Sequence, residues 1–174
     1  VCSSDLLGTH SNTHPHGSVV PPINPLQTTL GFSNVSFVAQ TTDWHPAHLQ
    51  ATIRKAADHP GLAFVRIVQR CPMFMKDLYG DMSADPNSLI LLNHEKGIDL
   101  DPAIAKSFKR NLDHDPSDLG AAREVAEIHD GIPVGLLYQN TENMRYDDYG
   151  AHNLGMSIDD KSKALDALLD RYAI

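Results

Sequence analysis

A strand, a helix and a second strand follow one another between residues 36 and 69. Residues 36–40 (SFVAQ) have the branched and aromatic character of a strand. Residues 43–58 predict an amphipathic helix, because apolar side chains recur at helical spacing at Leu49, Ile53, Ala56 and Ala57. Residues 62–69 (LAFVRIVQ) are almost continuously apolar, as in a strand covered on both faces of a parallel sheet. Such a crossover unit predicts an α/β fold.

The rest of the chain predicts further elements on either side of this unit. Asn24 and Pro25 are a helix cap and a first helical residue, so a short helix should run to about Leu30. Later segments predict two strands, at 88–92 and 134–139. They also predict helices at 101–111, from 115 onward and at 162–172, and the last of these helices is expected to be docked. Turn-forming residues across 77–88 indicate a boundary. We therefore expect one domain at 7–76 and a small α+β lobe at 77–174.

Composition excludes several classes of protein. The net charge of -8 opposes the counterion release that drives binding to nucleic acid. No apolar run approaches the roughly 20 residues that a membrane-spanning helix requires, and no secretion signal is present. The two cysteines, Cys2 and Cys71, are too few for the disulfide framework of a small secreted domain. These features predict a cytoplasmic protein.

The first six residues, VCSSDL, are treated separately. They match the translation of a common short-read sequencing adapter, so we expect 1–6 to be an artefact rather than part of the protein. Cys2 then drops out as a candidate ligand, and the coding sequence before residue 7 is expected to be missing.

Histidines are numerous but predict no metal site. His14 and His16 lie near His10, and His45 and His48 lie one turn apart. A zinc site requires three or four ligands in tetrahedral geometry, and neither group has a suitable third partner in the sequence. We expect these histidines to face solvent or to cap elements, which disfavours a histidine-based metal hydrolase.

Cys71 is the one candidate site residue. In the sequence QRCPMF it follows the predicted second strand, at the end where α/β sheets bind ligands. A lone cysteine in this position can be a small core residue or a metal ligand, and its setting alone does not decide between them. Iron–sulfur clusters require several thiolates, and the sequence supplies one credible thiol.

Three stretches resemble the beta subunits of thiamine-diphosphate-dependent 2-oxoacid:ferredoxin oxidoreductases. Residues 17–25 (GSVVPPINP) are similar to the G-S-x-x-P-P-x-N-P segment of that family. Residues 36–74 are similar to its run of strand, H-L helix, H-x-G turn, apolar strand and C-P-x-F ending. Residues 133–140 (PVGLLYQN) resemble the strand near the family's carboxyl terminus. The chain therefore resembles a carboxyl-terminal fragment of such a subunit.

The resemblance implies cofactors, partners and one site residue. It makes 7–76 the last part of a thiamine-diphosphate-binding parallel-sheet domain, and 77–174 the subunit's carboxyl-terminal lobe. Cys71 occupies the position of a cysteine that binds a 4Fe-4S cluster. The other cluster ligands, and the residues that hold thiamine diphosphate and Mg²⁺, are expected in the missing upstream portion. The implied partners are an alpha subunit, ferredoxin, a 2-oxoacid and coenzyme A.

The implied reaction is the oxidative decarboxylation of a 2-oxoacid to acyl-CoA, with electrons passed through the iron–sulfur cluster to ferredoxin. Pyruvate, 2-oxoglutarate and branched or aryl oxoacids all remain open, and the resemblance slightly favours 2-oxoglutarate. The fragment alone is expected to be inactive. The alternative is a non-catalytic interaction module derived from a thiamine-diphosphate fold, in which Cys71 is an ordinary core thiol.

Overall fold

A computed structural model describes residues 8, 10, 15–17, 19, 21–70, 79–143, 145, 148, 150, 155 and 157–172 of the 174-residue chain. The chain divides into two compact units, Val1–Thr141 and Glu142–Ile174. The first unit contains the following described helices: α1 Pro25–Leu30, α2 Pro46–Asp58, α3 Gly80–Ala84, α4 Pro102–Ala105 and α5 Leu119–Ala126. Its strands are β1 Val35–Thr42, β2 Leu62–Val68, β3 Leu89–Asn93, β4 Arg110–Asp113 and β5 Ile132–Gln139.

The five strands form one mixed sheet in the order β2-β1-β5-β3-β4. Strands β1 and β2 are parallel to each other, and β3 is parallel to both β4 and β5. Strand β5 is antiparallel to β1, with Phe37 opposite Gln139 and Gln40 opposite Gly135. The sheet therefore consists of two parallel halves that run in opposite directions and meet between β1 and β5. The predicted α/β fold is confirmed.

A glycine is required where β5 lies against β3. Gly135 has φ +132°, a conformation that residues with a side chain rarely adopt. A Cβ atom at this position would lie 3.0 Å from the Leu92 Cβ and 3.3 Å from the Leu92 carbonyl oxygen. The close approach of these two strands thus depends on the absence of a side chain at 135.

The short helix predicted at Pro25 is confirmed as α1. Asn24 caps it, because its Oδ1 accepts hydrogen bonds from the backbone N–H groups of Leu26 (3.1 Å) and Gln27 (3.3 Å). The Asn24 Nδ2 also donates to the Ala126 carbonyl oxygen at 2.7 Å, which ties α1 to the end of α5. One side chain therefore caps one helix and connects it to another.

Helices cover both faces of the sheet. Helices α1 and α5 pack on the face that carries Val38 of β1, which we call the α1 face. Helix α2 packs on the opposite face, the α2 face, where Thr41 of β1 contacts His48. The crossover from β1 through α2 to β2 is confirmed, since the two strands are parallel neighbours in register from Phe37–Ala63 to Thr42–Val68.

The buried face of α2 differs from the predicted apolar stripe. Its fully buried residues are His48 and Thr52, whereas Ile53 is 48% exposed and Ala57 is also exposed. The helix begins at Pro46 rather than at Asp43, because proline can occupy the first helical turn without loss of a hydrogen bond. Of the predicted stripe, Ala56 is partly buried against Phe37 and Ala39, so periodicity located the helix and only part of the side that faces this sheet.

Strand β2 is also less covered than its sequence predicts. It is an edge strand, and Leu62 and Ile67 are 47% and 44% exposed. The expectation that it is covered on both faces is therefore wrong for this structure.

The boundary expected after residue 76 does not separate two compact units. Strands from both sides of it share the sheet, because β5 pairs with β1 on one side and with β3 on the other. The division into units falls after Thr141 instead. Strand β4 was not predicted, since a helix was expected through Asn111. That helix ends at Ala105, and α5 begins at Leu119, after the cap residue Asp118.

The second unit contains the helix α6, Ile158–Tyr172. It confirms the helix predicted at 162–172, whose docking stays a prediction. Within the described part of the chain, no helix has both the length and the apolar character needed to cross a bilayer.

Candidate functional site

The candidate site lies where β1 and β2 end. Cys71 itself lies outside the described residues, as does the whole of segment 71–78. The chain enters this segment at Arg70, just after β2, and leaves it at Tyr79, just before α3. The described part of the site consists of the residues on the two flanks of segment 71–78 and of the neighbouring end of β1.

Trp44 contacts both flanks of the segment that contains Cys71. The Arg70 guanidinium lies 5.7 Å from the centre of the Trp44 ring, a distance typical of a cation–π contact. The ring of Tyr79 lies 6.3 Å from the same ring. Arg70 Nε also donates a hydrogen bond to Asp43 Oδ1 at 3.3 Å. Residues 43 and 44, which directly follow β1, thus hold the backbone immediately before Cys71.

Three buried polar atoms near the carboxyl end of β1 have no hydrogen-bond partner among the described residues: Gln40 Oε1, Thr42 Oγ1 and His48 Nε2. Each such atom costs roughly 1–3 kcal/mol when it stays unpaired. They are all the buried side-chain atoms without a partner within the described part of the chain, and they belong to the last residues of β1 or the first turn of α2. This end of the sheet is therefore polar and incompletely satisfied.

His48 has an environment opposite to the one that its sequence predicts. It is buried, and its Nδ1 lies 2.8 Å from Thr41 Oγ1. Its ring meets Phe108 edge-on at 5.8 Å, and the half-buried His45 stacks on the same Phe108 ring at 4.8 Å. Burial, and secondarily the nearby His45, lower the pKa of His48 from 6.5 to about 4. The expectation that these histidines face solvent or cap elements is wrong for His48, which is an uncharged part of the core at neutral pH, whereas His45 occupies the N-cap position of α2.

A cavity of about 220 Å³ opens on the α1 face at the same end of β1 and β2. Its lining includes Gln40 of β1, Arg66 of β2 and His129, which follows α5. Gln40 and Arg66 are register partners on adjacent strands, and Gln40 Nε2 donates to the Pro133 carbonyl oxygen at 2.7 Å. Because Nε2 is engaged, Oε1 is the atom of this amide that remains an unpaired acceptor.

The other end of α2 has a fully paired histidine. His59 Nε2 lies 2.9 Å from Ser36 Oγ, and Gln139 Nε2 lies 3.4 Å from His59 Nδ1. Since Ser36 Oγ donates to the Leu62 carbonyl oxygen, it accepts the hydrogen of His59 Nε2. The neutral ring thus satisfies both neighbours, and burial lowers its pKa. This cluster is buried and structural, with no nucleophile open to solvent.

The chain alone does not fit a complete iron–sulfur cluster. A four-iron cluster needs several thiolates, and the sequence contains only Cys2 and Cys71. Within the described residues, no group of three or more His, Cys, Asp or Glu side chains could hold a metal ion. The cysteines of this chain are therefore too few to hold such a cluster alone, and none of its residues is assigned to thiamine diphosphate.

Sequence reasoning missed the residues on either side of Cys71. Trp44, the only tryptophan of the chain, was placed inside the helix predicted at 43–58, whereas it precedes α2. Its contact with Arg70 could not be read from the sequence, because it depends on the side-by-side alignment of the β1 and β2 ends.

Comparison with known proteins identifies the same family as these motifs. The sequence pattern that describes the C-terminal region of the pyruvate ferredoxin oxidoreductase beta subunit matches residues 105–152. The 2-oxoacid:ferredoxin oxidoreductase subunit beta of Saccharolobus solfataricus is 28% identical over 134 residues, which are 77% of this chain and 41% of that protein. The 2-oxoglutarate oxidoreductase subunit KorB of Mycobacterium tuberculosis is 37% identical over 68 residues, 39% of this chain and 18% of that protein.

A solved structure extends the similarity to the fold. It is the 2-oxoglutarate:ferredoxin oxidoreductase from Magnetococcus marinus, with 2-oxoglutarate, coenzyme A and succinyl-CoA bound. The similarity covers 95% of this chain and 51% of that chain, with a TM-score of 0.67 and 28% identity. The chain thus spans about half the length of this relative, and less of the two beta-subunit relatives. Its resemblance to the beta subunits of 2-oxoacid:ferredoxin oxidoreductases is confirmed.

Proposed function

We propose that this chain is the carboxyl-terminal part of the beta subunit of a thiamine-diphosphate-dependent 2-oxoacid:ferredoxin oxidoreductase. The complete enzyme would convert a 2-oxoacid and coenzyme A into acyl-CoA and carbon dioxide, and would reduce ferredoxin. It would also require an alpha subunit. The names of the relatives favour 2-oxoglutarate as the acid.

The observation that carries the proposal is the course of the chain at the end of β2. The fold matches an oxidoreductase of this class over 95% of the chain, and β2 leads directly through Arg70 into Cys71-Pro72. The carboxyl ends of parallel strands are where α/β sheets bind cofactors. This supports Cys71 as one ligand of the 4Fe-4S cluster.

The chain's own residues would position the thiol. Asp43 and Trp44 hold Arg70 through an ion pair and a cation–π contact, which restrains the backbone next to Cys71. When bound, the cluster would relay electrons, whereas thiamine diphosphate and Mg²⁺ would be held by residues outside this chain.

The test uses the complete beta subunit, co-expressed with its alpha subunit, and compares Cys71→Ser with the unsubstituted enzyme. We expect Cys71→Ser to remove the brown absorbance of the cluster and at least about 100-fold of the ferredoxin reduction rate, because a ligand is lost.

An unchanged cluster spectrum and iron content in the Cys71→Ser complex would contradict the ligand assignment. A complete subunit that binds neither iron nor thiamine diphosphate would instead support the alternative of a non-catalytic interaction module.

A further inference from the structure

The cavity on the α1 face contains a buried amide that is paired on one side only. Gln40 lines this cavity and is 2% exposed. Its Nε2 donates to the Pro133 carbonyl oxygen at 2.7 Å, which fixes the orientation of the amide, because only the nitrogen can donate to a carbonyl group. The Oε1 atom then has no partner among the described residues. The amide can therefore accept a hydrogen bond from a molecule that enters the cavity.

Arg66 supplies a positive charge to the same cavity. It is the register partner of Gln40 on the adjacent strand, so both side chains project from the α1 face. Among the described residues, its guanidinium has no ion pair or hydrogen bond, and the described lining of the cavity contains no aspartate or glutamate. A guanidinium binds a carboxylate through two parallel hydrogen bonds, so the half-buried Arg66 favours an anionic ligand.

The spacing of these two groups limits the kind of ligand. Adjacent strands lie about 4.8 Å apart, so a molecule of a few heavy atoms can contact Gln40 and Arg66 together. Such a molecule carries a carboxylate and, on the next carbon, a hydrogen-bond donor. A protonated amine would be repelled by Arg66, with no acidic residue in the described lining to offset it, whereas a hydroxyl group donates without a charge. The volume of about 220 Å³, with Ile23, Ile132 and Pro133 in the lining, leaves room for a short hydrocarbon chain.

We propose that this cavity binds a small 2-hydroxy carboxylate. Its carboxylate pairs with Arg66, its hydroxyl donates to Gln40 Oε1, and its carbon chain contacts the apolar part of the lining. A 2-oxo acid of the same length has no donor on the second carbon and leaves Oε1 unpaired. The cavity thus distinguishes the reduced acid from the oxidised one. This inference does not rest on the proposed function, because it requires no cofactor and no turnover.

Calorimetric titration of this chain tests the class of ligand. The probe is 2-hydroxybutyrate, each enantiomer separately, and the matched control is 2-oxobutyrate, which differs from it only at the second carbon. We expect one enantiomer of the hydroxy acid to bind at least about 10-fold more tightly than the oxo acid, because one hydrogen bond to a buried acceptor is gained. Equal affinities would overturn the proposal, as would the lack of saturable binding by either acid.

Two arginine substitutions test the position of the ligand. We expect Arg66→Met to weaken the binding of 2-hydroxybutyrate at least about 10-fold, because the partner of the carboxylate is lost. Arg54→Met is the matched control, since it removes the same charge from an exposed residue of α2 that does not line this cavity. Thermal unfolding of both variants checks that they fold. Unchanged affinity in a folded Arg66→Met chain would contradict the proposal.

Nuclear magnetic resonance tests the role of Gln40 without a substitution. Saturating 2-hydroxybutyrate should shift the side-chain amide signals of Gln40, while those of Gln50, exposed on α2, should stay unchanged. Signals of Gln40 that do not respond would contradict the hydrogen bond to Oε1.

The same titration of the complete beta subunit, co-expressed with its alpha subunit, tests the site in the enzyme. We expect the preference for the hydroxy acid to persist there, and its loss would overturn the proposal. Since the titration measures binding alone, a subunit that binds 2-hydroxybutyrate but no iron would refute the proposed function and leave this inference intact.

Discussion

The two ends of helix α2 each bury a histidine, and the two environments differ in one respect. At the carboxyl end, His59 has a partner for each ring nitrogen, in Ser36 and Gln139. At the amino end, the His48 Nδ1 contacts the hydroxyls of Thr41 and Thr52, and its Nε2 has no described partner. Gln40 Oε1 and Thr42 Oγ1, on the opposite face of the same end of β1, are also unpaired. The ring nitrogens of the histidine at the carboxyl end are both paired, whereas unpaired buried polar atoms remain at the amino end. The incomplete end is the one next to Cys71, which is what a site shared with further polypeptide would show.

The largest expected effect is the loss of stability in acid at the amino end of α2, where His48 lies. The pKa of His48 is lowered from 6.5 to about 4 in the folded chain. Between these two pH values the unfolded chain therefore binds a proton at His48 that the folded chain does not bind. The stability that His48 contributes is therefore complete above pH 6.5 and is lost as the pH falls towards 4, by about 3 kcal/mol in all. Urea unfolding of this chain between pH 7 and 4 measures the loss, and His48→Phe should reduce it. A pH dependence identical in the variant and the parent chain would show that His48 is not the group that titrates.

The same substitution at both histidines should give the next largest difference. His59→Phe removes two hydrogen bonds and leaves the Gln139 amide unpaired, so we expect a loss of about 2 kcal/mol or more. His48→Phe removes the Nδ1 contacts with the Thr41 hydroxyl (2.8 Å) and the Thr52 hydroxyl (3.4 Å), but it also removes an unpaired buried nitrogen and keeps an aromatic ring against Phe108. We expect that change to cost less than about 1 kcal/mol at pH 7. Denaturant midpoints at pH 7 provide the comparison, and equal losses would mean that the two sites are equally satisfied.

Adjacent threonines allow the smallest and sharpest test. Thr41→Val removes the hydroxyl that bonds to His48, so it should lower the free energy of unfolding by about 1 kcal/mol. Thr42→Val removes a hydroxyl with no described partner, so it should leave the free energy of unfolding unchanged or raise it slightly. In the complete subunit, Thr42→Val should become unfavourable if the missing part supplies a partner. Unfolding midpoints of both variants in both proteins measure the effect. A loss from Thr42→Val in this chain alone would contradict the idea that its end of the sheet is incomplete.

The sequence predicted local structure better than it predicted which surfaces meet. Helix α1, the β1–α2–β2 crossover and β5 were predicted because caps, periodicity and apolar runs are local signals. The buried side of α2 was mispredicted because the apolar stripe with Ile53 does not face this sheet, while two polar side chains, His48 and Thr52, do. Strand β4 was missed because a polar edge strand has little pattern of its own.

The candidate site could be predicted only in part for the same reason. The position of Cys71 after an apolar strand is local, and its role as a cluster ligand stays a prediction. The contact of Trp44 with both Arg70 and Tyr79 joins residues that are 26 and 35 positions away from it in the sequence. Likewise, the pairing of β5 with both β1 and β3, which placed one sheet across the expected boundary after residue 76, depends on tertiary packing.

The position of β5 has a consequence for synthesis of the protein. It is the last described strand along the chain, yet it lies in the middle of the sheet and is the only described strand that joins the two parallel halves. A ribosome that has translated residues up to about 130 has therefore produced two separate strand pairs with no bridge between them. The nascent chain can complete its sheet only once Gln139 has emerged, so this segment of the protein should depend on protection by chaperones until late in translation.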